Sequence, residues 1–465
     1  MEIAKQIKGA VKLASNIRFG IAKTGITPPT GLPLSGYSGR SGGAVGVANP
    51  LYARAFSVFD KIEEKRLVLV VCDLLALDPS VLECFRSLAQ EELGLNPQDI
   101  FVCVTHTHSG PAYGRLSRFA SSLDKEESQA GRRWLQGLPK LMLQAMEKAI
   151  SSENDAQIGF AKAEVDISVN RRLLDPFGEI RLAPNPRGIT DPEVLVLQAR
   201  DAKTHETLGT LVNYPCHPVV LCEDNLYYTG DYPYFAVESM ENKTGAPAIF
   251  VNGACGNINP IRRGSFETAQ WMGEELASAA CEGLEAIAWH DEAPIAVDLD
   301  TVMVPWSNYP SVRQVEKYLE AAREALDRHI SPGDHEGHRL ESEVARAQRM
   351  LHQVKRRWEW VEAVIDKDTQ SVISEMQVAR LGPAAFVTLP GEFFVEIGLS
   401  IKESSPHFPT FILGYTGGYI GYVPIREAYS QGGYEVQSSL VGEGAGEIFV
   451  EKALEMLRRI SEHSK

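Results

Sequence analysis

Two histidines two residues apart, His106 and His108, follow the apolar run that ends at Val104 and sit in the turn Thr105-His106-Thr107-His108-Ser109-Gly110-Pro111. In extended backbone, residues i and i+2 project to the same side, so both imidazoles can face one cleft. A histidine pair at a strand end is a recurrent zinc arrangement, and equally the pattern of two loop histidines bonded to backbone groups. His217 lies in a second loop of this kind, between Pro215 and Pro218, and Glu392 follows Leu389-Pro390-Gly391 at the end of a third apolar run. Ligands of α/β sheets gather outside the carboxyl ends of strands. Three such ends, each offering a zinc-competent donor, therefore point to a metal centre more strongly than any one does.

A fourth loop, Asn252-Gly253-Ala254-Cys255-Gly256-Asn257-Ile258-Asn259-Pro260, stands between a strand and a helical pattern. Its backbone N–H groups could face an anion or a developing oxyanion, although a tight left-handed turn is the simpler reading. The Gly-Lys-Ser/Thr ending of a nucleotide P-loop is absent. Tyr415, Tyr419, Tyr422, Tyr429 and Tyr434 crowd one region, a pattern that usually means packing. His335 and His338 fall in a charged turn and read as solvated.

Positioning these loops requires a sheet. Near-continuous apolar runs at Arg66–Cys72, Asp99–Val104, Leu208–Tyr214, Ala248–Val251, Ala384–Leu389 and Thr410–Leu413 predict strands covered on both faces. Helical spacing marks Arg133–Ser151, Phe266–Ala288, Phe393–Ser404 and Glu447–Ser461. The alternation predicts an α/β fold, a large mixed β-sheet core flanked by helices. Ser311–Asp366 reads as an inserted helical hairpin that turns at 331–338. Gly31–Asn49, with six glycines, reads as an extended functional loop. Lys61–Lys65 predicts a hairpin turn.

The chain of 465 residues carries a net charge of −15, with 44% hydrophobic and 23% charged residues, a globular composition. That acidity excludes a non-specific nucleic-acid binder and weighs against docking on anionic lipid. No stretch of about 18 uncharged apolar residues exists, so no spanning helix is expected. The seven cysteines form no Cys-x-x-Cys pair, and the N-terminus lacks the apolar core of a signal peptide. A reducing, cytoplasmic setting is expected. Oligomeric state is not specified.

Several of these motifs resemble one family. The segments 105–111 (THTHSGP), Cys216-His217-Pro218, 389–393 (LPGEF) and 421–435 (GYVPIREAYSQGGYE) are similar to those of the neutral (non-lysosomal) ceramidases, as are 26–31 (ITPPTG), 51–60 (LYARAFSVFD), 71–77 (VCDLLAL) and Asn170-Arg171. The resemblance runs in order from about residue 20 to the C-terminus. It implies one catalytic domain over 1–465, with 311–366 as an insertion and without the family's C-terminal β-sandwich. The zinc ligands it implies are His106, His217, Glu392 and Tyr422, while His108, Arg171 and Tyr434 would contact the substrate or stabilise the reacting amide. The implied reaction is attack of zinc-bound water on a linear, ceramide-like N-acyl amide, a small-molecule or lipid substrate. One departure touches the chemistry. Where the family has Gly-Asp-Val-Ser-Pro, this chain has Gly256-Asn257-Ile258-Asn259-Pro260, so Asn259 replaces a serine of the reaction centre. Asparagine can hydrogen-bond an oxyanion but cannot be a nucleophile. A zinc hydrolase of a soluble ester or small amide, or a ligand-binding relative with weakened catalysis, are the alternatives. No apolar membrane anchor stands out in the sequence.

Overall fold

Two sheets packed face to face, each backed by helices, account for the apolar runs. The structure, a computed structural model, describes residues 15–462 except 38, 41, 115–128, 308–309, 330–334 and 367–368. Among the described residues, a nine-stranded sheet runs in the order Ala248–Asn252, Thr207–Tyr214, Glu193–Asp201, Asn154–Glu164, Ile17–Gly25, Tyr52–Asp60, Lys65–Cys72, Ile100–Val104. Ala288–His290 adds to it beside Asn154–Glu164. The sheet is mixed: its two end pairs, Thr207–Tyr214 with Ala248–Asn252 and Lys65–Cys72 with Ile100–Val104, are parallel. A five-stranded sheet orders Ile295–Pro305, Ser371–Leu381, Ala384–Thr388 and Thr410–Leu413, with Ile365–Asp366 at the side.

Side-chain alternation fixes the layers. Val68, Val70, Val102 and Val104 face Phe85, Leu138, Met142 and Leu276 of the outer helices. Their neighbours Leu67, Leu69, Val71 and Phe101 point the other way, into a seam shared with Phe386, Phe411 and Leu413 of the second sheet. The far face of that sheet, Val378, Val387 and Ile412, lies under Ile397, Phe449 and Met456 of the helices Val395–Ser404 and Ala445–Glu462. The order is helix, sheet, sheet, helix. Strands buried on both faces are why these segments read as unbroken apolar runs.

The expected hairpin insertion is present as the helices Val312–Arg328 and His335–Val364. Ser311 and Gln314 form a reciprocal capping box at its start. Several boundaries differ from expectation. Residues 335–338 are helical, so they do not belong to the turn. The helix from Phe266 stops at Leu284, because Ala288–His290 pairs with Ile158–Phe160. The helix expected from Phe393 begins at Val395, since Glu392 and Phe393 pair with Tyr422 and Val423. Asp99 ends a short 3-10 turn, Pro97–Asp99, ahead of its strand, and Leu389 lies beyond the strand Ala384–Thr388. Ile258–Pro260, expected within a turn, forms a strand against Ser168–Asn170. The glycine-rich stretch, expected to be extended, instead doubles back on itself: Pro33 bridges Gly43 antiparallel and Gly31 N donates to Ala44 O, while Gly46–Val47 pairs alongside Tyr227–Tyr228.

Candidate metal centre

Each donor leaves the sheets where a strand ends. After Ile100–Val104, the His106 N–H donates to Leu74 O at 2.9 Å. His106 has φ +66, so the extended backbone that the sequence suggested around 106–108 is absent. A left-handed residue instead turns the ring, and the two imidazoles still meet, with centroids 5.0 Å apart. Tyr415 stacks flat on His106 at 3.9 Å. His106 Nδ1 lies 2.6 Å from Leu75 O, and His217 Nδ1 lies 2.6 Å from Cys255 O and 3.1 Å from Ile258 O. A ring nitrogen facing a carbonyl oxygen carries the proton, which leaves Nε2 of both rings as a lone-pair donor.

Those lone pairs converge on a carboxylate. Nε2 of His217 is 3.0 Å and Nε2 of His106 3.7 Å from Glu392 Oε2. The other Glu392 oxygen accepts from the Tyr419 hydroxyl. His108 Nε2 is 3.3 Å from His106 Nε2, and ligand nitrogens of His106, His108 and His217 lie within 4.8 Å of one another.

Burial sets the charges. It drives His106 down to about 3 and His217 below the usual histidine range, and the Arg171 cation adds to the shift at His217. His108 is lowered by burial and then by the neighbouring imidazoles. Burial pushes Glu392 up, but His106, His217 and Tyr419 outweigh it and hold the carboxyl below the ordinary range. Neutral rings beside an ionised carboxylate are what a divalent cation requires. An imidazolium would satisfy the same contacts, and burial disfavours it. Acceptors facing acceptors in a buried site repel unless positive charge lies between them, so this donor set fits a metal ion.

Beside it, Arg171 from the strand Ser168–Leu174 ties four segments together. Its Nη2 donates to Tyr422 Oη at 3.0 Å and Gly256 O at 2.6 Å, Nη1 to Asn259 Oδ1 at 3.2 Å, and Nε to Glu435 Oε1 at 2.9 Å. Burial works against this cation, but Tyr422, Glu435 and Glu392 outweigh it and keep the group charged. Glu435 also accepts from Arg172 Nη1 at 2.8 Å. Burial and then the Glu392 charge raise the Tyr422 phenol well above its ordinary value. Tyr434 stands 5.5 Å from the Tyr422 ring and is 48% exposed, at the edge of the site.

All eight sequence-derived candidates thus lie in one region: His106, His108, His217 and Glu392 in one cluster, and Tyr422, Asn259 and Tyr434 around Arg171. The Asn252–Pro260 loop turns several of its N–H groups to backbone carbonyls. The N–H groups of Gly253, Gly256 and Ile258 donate to Tyr214 O, Phe393 O and Cys255 O. Asn257 holds the loop instead, donating to Glu396 Oε2 at 2.8 Å and accepting from Val395 N at 2.9 Å. Sequence reasoning missed Glu435, took Tyr415 and Tyr419 for packing alone, and passed over Asp231. Glu435 lay within a motif already singled out, but its partner Arg171 stands 264 positions away, so no local signal marked it.

Asp231 anchors the loop that carries His217. Its carboxylate accepts from the N–H groups of Val220 at 3.2 Å, Leu221 at 2.9 Å and Tyr232 at 2.7 Å. Burial nevertheless pushes its pKa up to about 6. The folded chain therefore binds this proton more tightly than the unfolded chain, and the group's contribution to stability falls as pH rises from about 4 to about 6. Asp231→Asn has no such proton to lose. In urea unfolding, the advantage of wild type over Asp231→Asn should be about 2 kcal/mol larger at pH 4 than at pH 7. A pH-independent difference would refute the assignment.

A double layer of sheets between helices gathers imidazoles and a carboxylate at strand ends, a group that could hold a metal ion. The sequence profile of the neutral/alkaline non-lysosomal ceramidases, N-terminal domain, matches residues 17–330. The chain belongs to this family, an enzyme family of amide carbon–nitrogen hydrolases. It is 24% identical to the neutral ceramidase of Pseudomonas aeruginosa over 507 residues, spanning 95% of this chain and 72% of that protein. The crystal structure of that neutral ceramidase superposes with a TM-score of 0.72 at 21% identity, covering 97% of this chain and 75% of the other. A ceramidase complexed with C2 gives the same TM-score at 18% identity, over 97% and 76%.

Proposed function

We propose that this chain is a zinc-dependent hydrolase that cleaves a linear N-acyl amide of ceramide type. The observation that carries the reading is the convergence of His106 Nε2, His217 Nε2 and Glu392 Oε2 beside the charged Arg171 guanidinium, within this family. In this reading His106, His217, Glu392 and Tyr422 hold zinc, a cation suited to imidazole and oxygen donors. Zinc, when bound, polarises the amide carbonyl and makes water nucleophilic near neutral pH. The chain's own groups do the rest. Arg171 keeps Tyr422 and Asn259 in place through its hydrogen bonds. Tyr434, at the edge of the site, donates its hydroxyl proton in a hydrogen bond to the oxygen that gains charge. His108, kept neutral by burial and the neighbouring imidazoles, turns Nε2 toward the cluster, where it can hydrogen-bond the reacting amide. Asn259 Oδ1 is engaged by Arg171, which leaves its amide N–H groups to orient the substrate. The seven free thiols suit action in a reducing, cytoplasmic setting.

A second reading, a soluble ester or small amide as substrate or a relative with weakened catalysis, is favoured by Asn257 and Asn259 and by the acidic charge. Elemental analysis combined with a panel of long-chain and short-chain N-acyl amides, acyl esters and lactones separates them. We expect stoichiometric zinc, turnover greatest on long-chain amides, and loss of activity on chelation with recovery on adding zinc. Asn259→Ser should then alter turnover only modestly. Bound zinc without amide turnover would remove the substrate assignment, and absence of metal affinity would remove the chemistry.

A further inference from the structure

We infer that Tyr419 is a positioning residue of the metal centre: its hydroxyl holds one oxygen of Glu392, so that the carboxylate presents its other oxygen to the two imidazoles. The inference rests on the metal reading above and concerns the affinity of the site, so it does not depend on which substrate is cleaved.

The backbone places Tyr419 with little freedom. Its segment, 414–422, is bonded to the turn 389–392 on both sides of the tyrosine. Thr416 N donates to Leu389 O at 3.2 Å, Ile420 N to Pro390 O at 2.8 Å, and Glu392 N to Gly421 O at 2.8 Å. Further on, Glu392 and Phe393 pair with Tyr422 and Val423. The two stretches come this close because position 391 has no side chain: a Cβ there would lie 2.5 Å from Gly421 O. The same segment is also bonded to the strand that leads to His106. Val104 N donates to Tyr415 O at 3.3 Å, and Gly417 N donates to Val102 O at 3.1 Å. Tyr419 therefore stands on backbone fixed against the carriers of both Glu392 and His106.

The chemistry gives this placement a purpose. Glu392 is 4% exposed and Tyr419 5%, so water does not solvate the carboxylate, and an unpartnered oxygen there is costly. Oε1 accepts from the Tyr419 hydroxyl. Oε2 faces His217 Nε2 at 3.0 Å and His106 Nε2 at 3.7 Å. Each of those rings has its Nδ1 on a backbone carbonyl, so each Nε2 offers a lone pair and no hydrogen. Of these three neighbours only the phenol brings a hydrogen to the carboxylate. It satisfies Oε1 and leaves Oε2 among lone pairs, the arrangement that a cation resolves. Without the hydroxyl, either oxygen could turn to the cluster, and the cost of ordering the carboxylate would fall on metal binding. Hydrogen-bond partners behind a ligand typically change metal affinity by about ten- to hundredfold. Packing alone does not explain a tyrosine at 419. Its ring lies 6.5 Å from that of His106, whereas Tyr415 already stacks on that imidazole at 3.9 Å. Phenylalanine would fill the same space.

The test is zinc binding to the full chain, stripped of metal by dialysis against a chelator and titrated in competition with a chromophoric one. Tyr419→Phe keeps the ring and removes only the hydroxyl. Tyr214→Phe is the control, because it removes a different buried phenol hydroxyl, one that donates to Val165 O at 3.2 Å. Tyr419→Phe should bind zinc about ten- to hundredfold more weakly than wild type, and Tyr214→Phe as tightly as wild type. With cobalt in place of zinc, the visible spectrum should change in Tyr419→Phe and match wild type in Tyr214→Phe, a signature that loosened packing alone does not produce. Wild-type affinity in Tyr419→Phe overturns the proposal, and so does equal weakening in both variants, which would make the hydroxyl a structural group only. If wild type itself binds no zinc, the metal reading falls and takes this assignment with it. Weakened zinc binding in Tyr419→Phe alone, with no amide cleaved by any of the three proteins, sustains the assignment and removes only the substrate reading.

Discussion

The His217→Ala chain is expected to be purified without metal and to cleave N-acyl amides at least about a thousandfold more slowly, on the order of 4 kcal/mol of lost transition-state stabilisation. The reason is local. Nε2 of His217 faces Glu392 Oε2 at 3.0 Å, while Nδ1 is fixed by the carbonyls of Cys255 and Ile258, so no neighbouring side chain can take its place. Unpairing those buried carbonyls should also cost about 1–3 kcal/mol of stability, a loss that thermal unfolding would record. His106→Ala and Glu392→Gln should lose metal likewise, the latter with little change of volume. His108→Ala is the informative contrast. With the ligand set His106, His217, Glu392 and Tyr422 it keeps zinc and loses turnover; with three imidazoles as ligands it loses both. Elemental analysis of the four variants reads this directly. Full metal content in His217→Ala would end the assignment.

The legibility of this molecule follows from where its free energy lies. Arg66–Cys72, Leu208–Tyr214 and Thr410–Leu413 could be read to within a residue because both faces are buried, and burial writes itself as an apolar run. Ser168–Leu174 could not. It carries Asn170, Arg171 and Arg172, and its partners are a three-residue strand and a polar one, so neither periodicity nor propensity marks it. What holds it is charge: Arg171 meets Glu435, 264 positions away. Long-range ion pairs have no local signature, and Glu435 stayed invisible for that reason. His106 shows the opposite case. Its place at a strand end was legible, whereas the left-handed turn that aims its ring was not, because a non-glycine residue at φ +66 is sustained by tertiary contacts, among them the packing of Tyr415 and the bonds to Leu74 O and Leu75 O.

That ion-pair network supports the second large effect. Arg171→Lys is expected to retain metal and lower kcat/KM by about a hundredfold, mostly in kcat, on the order of 3 kcal/mol. A single ammonium cannot serve Tyr422, Gly256 O, Asn259 and Glu435 together, as the planar guanidinium does. Glu435→Ala acts on the same network from the other side. It leaves Arg171 and Arg172 buried without their shared counter-charge, at a cost of about 3–5 kcal/mol in unfolding free energy. Glu435→Gln, which keeps the shape and one acceptor, should recover part of the stability. Comparing unfolding with turnover across the three variants separates two roles for Arg171. If it orders the reacting groups, Arg171→Lys loses rate well before it loses stability. If Arg171→Lys turns over like wild type while Glu435→Ala unfolds, the guanidinium is a strut between the Ser168–Leu174 strand and the loops around it, and stabilisation of the reacting amide must come from Tyr434 and His108.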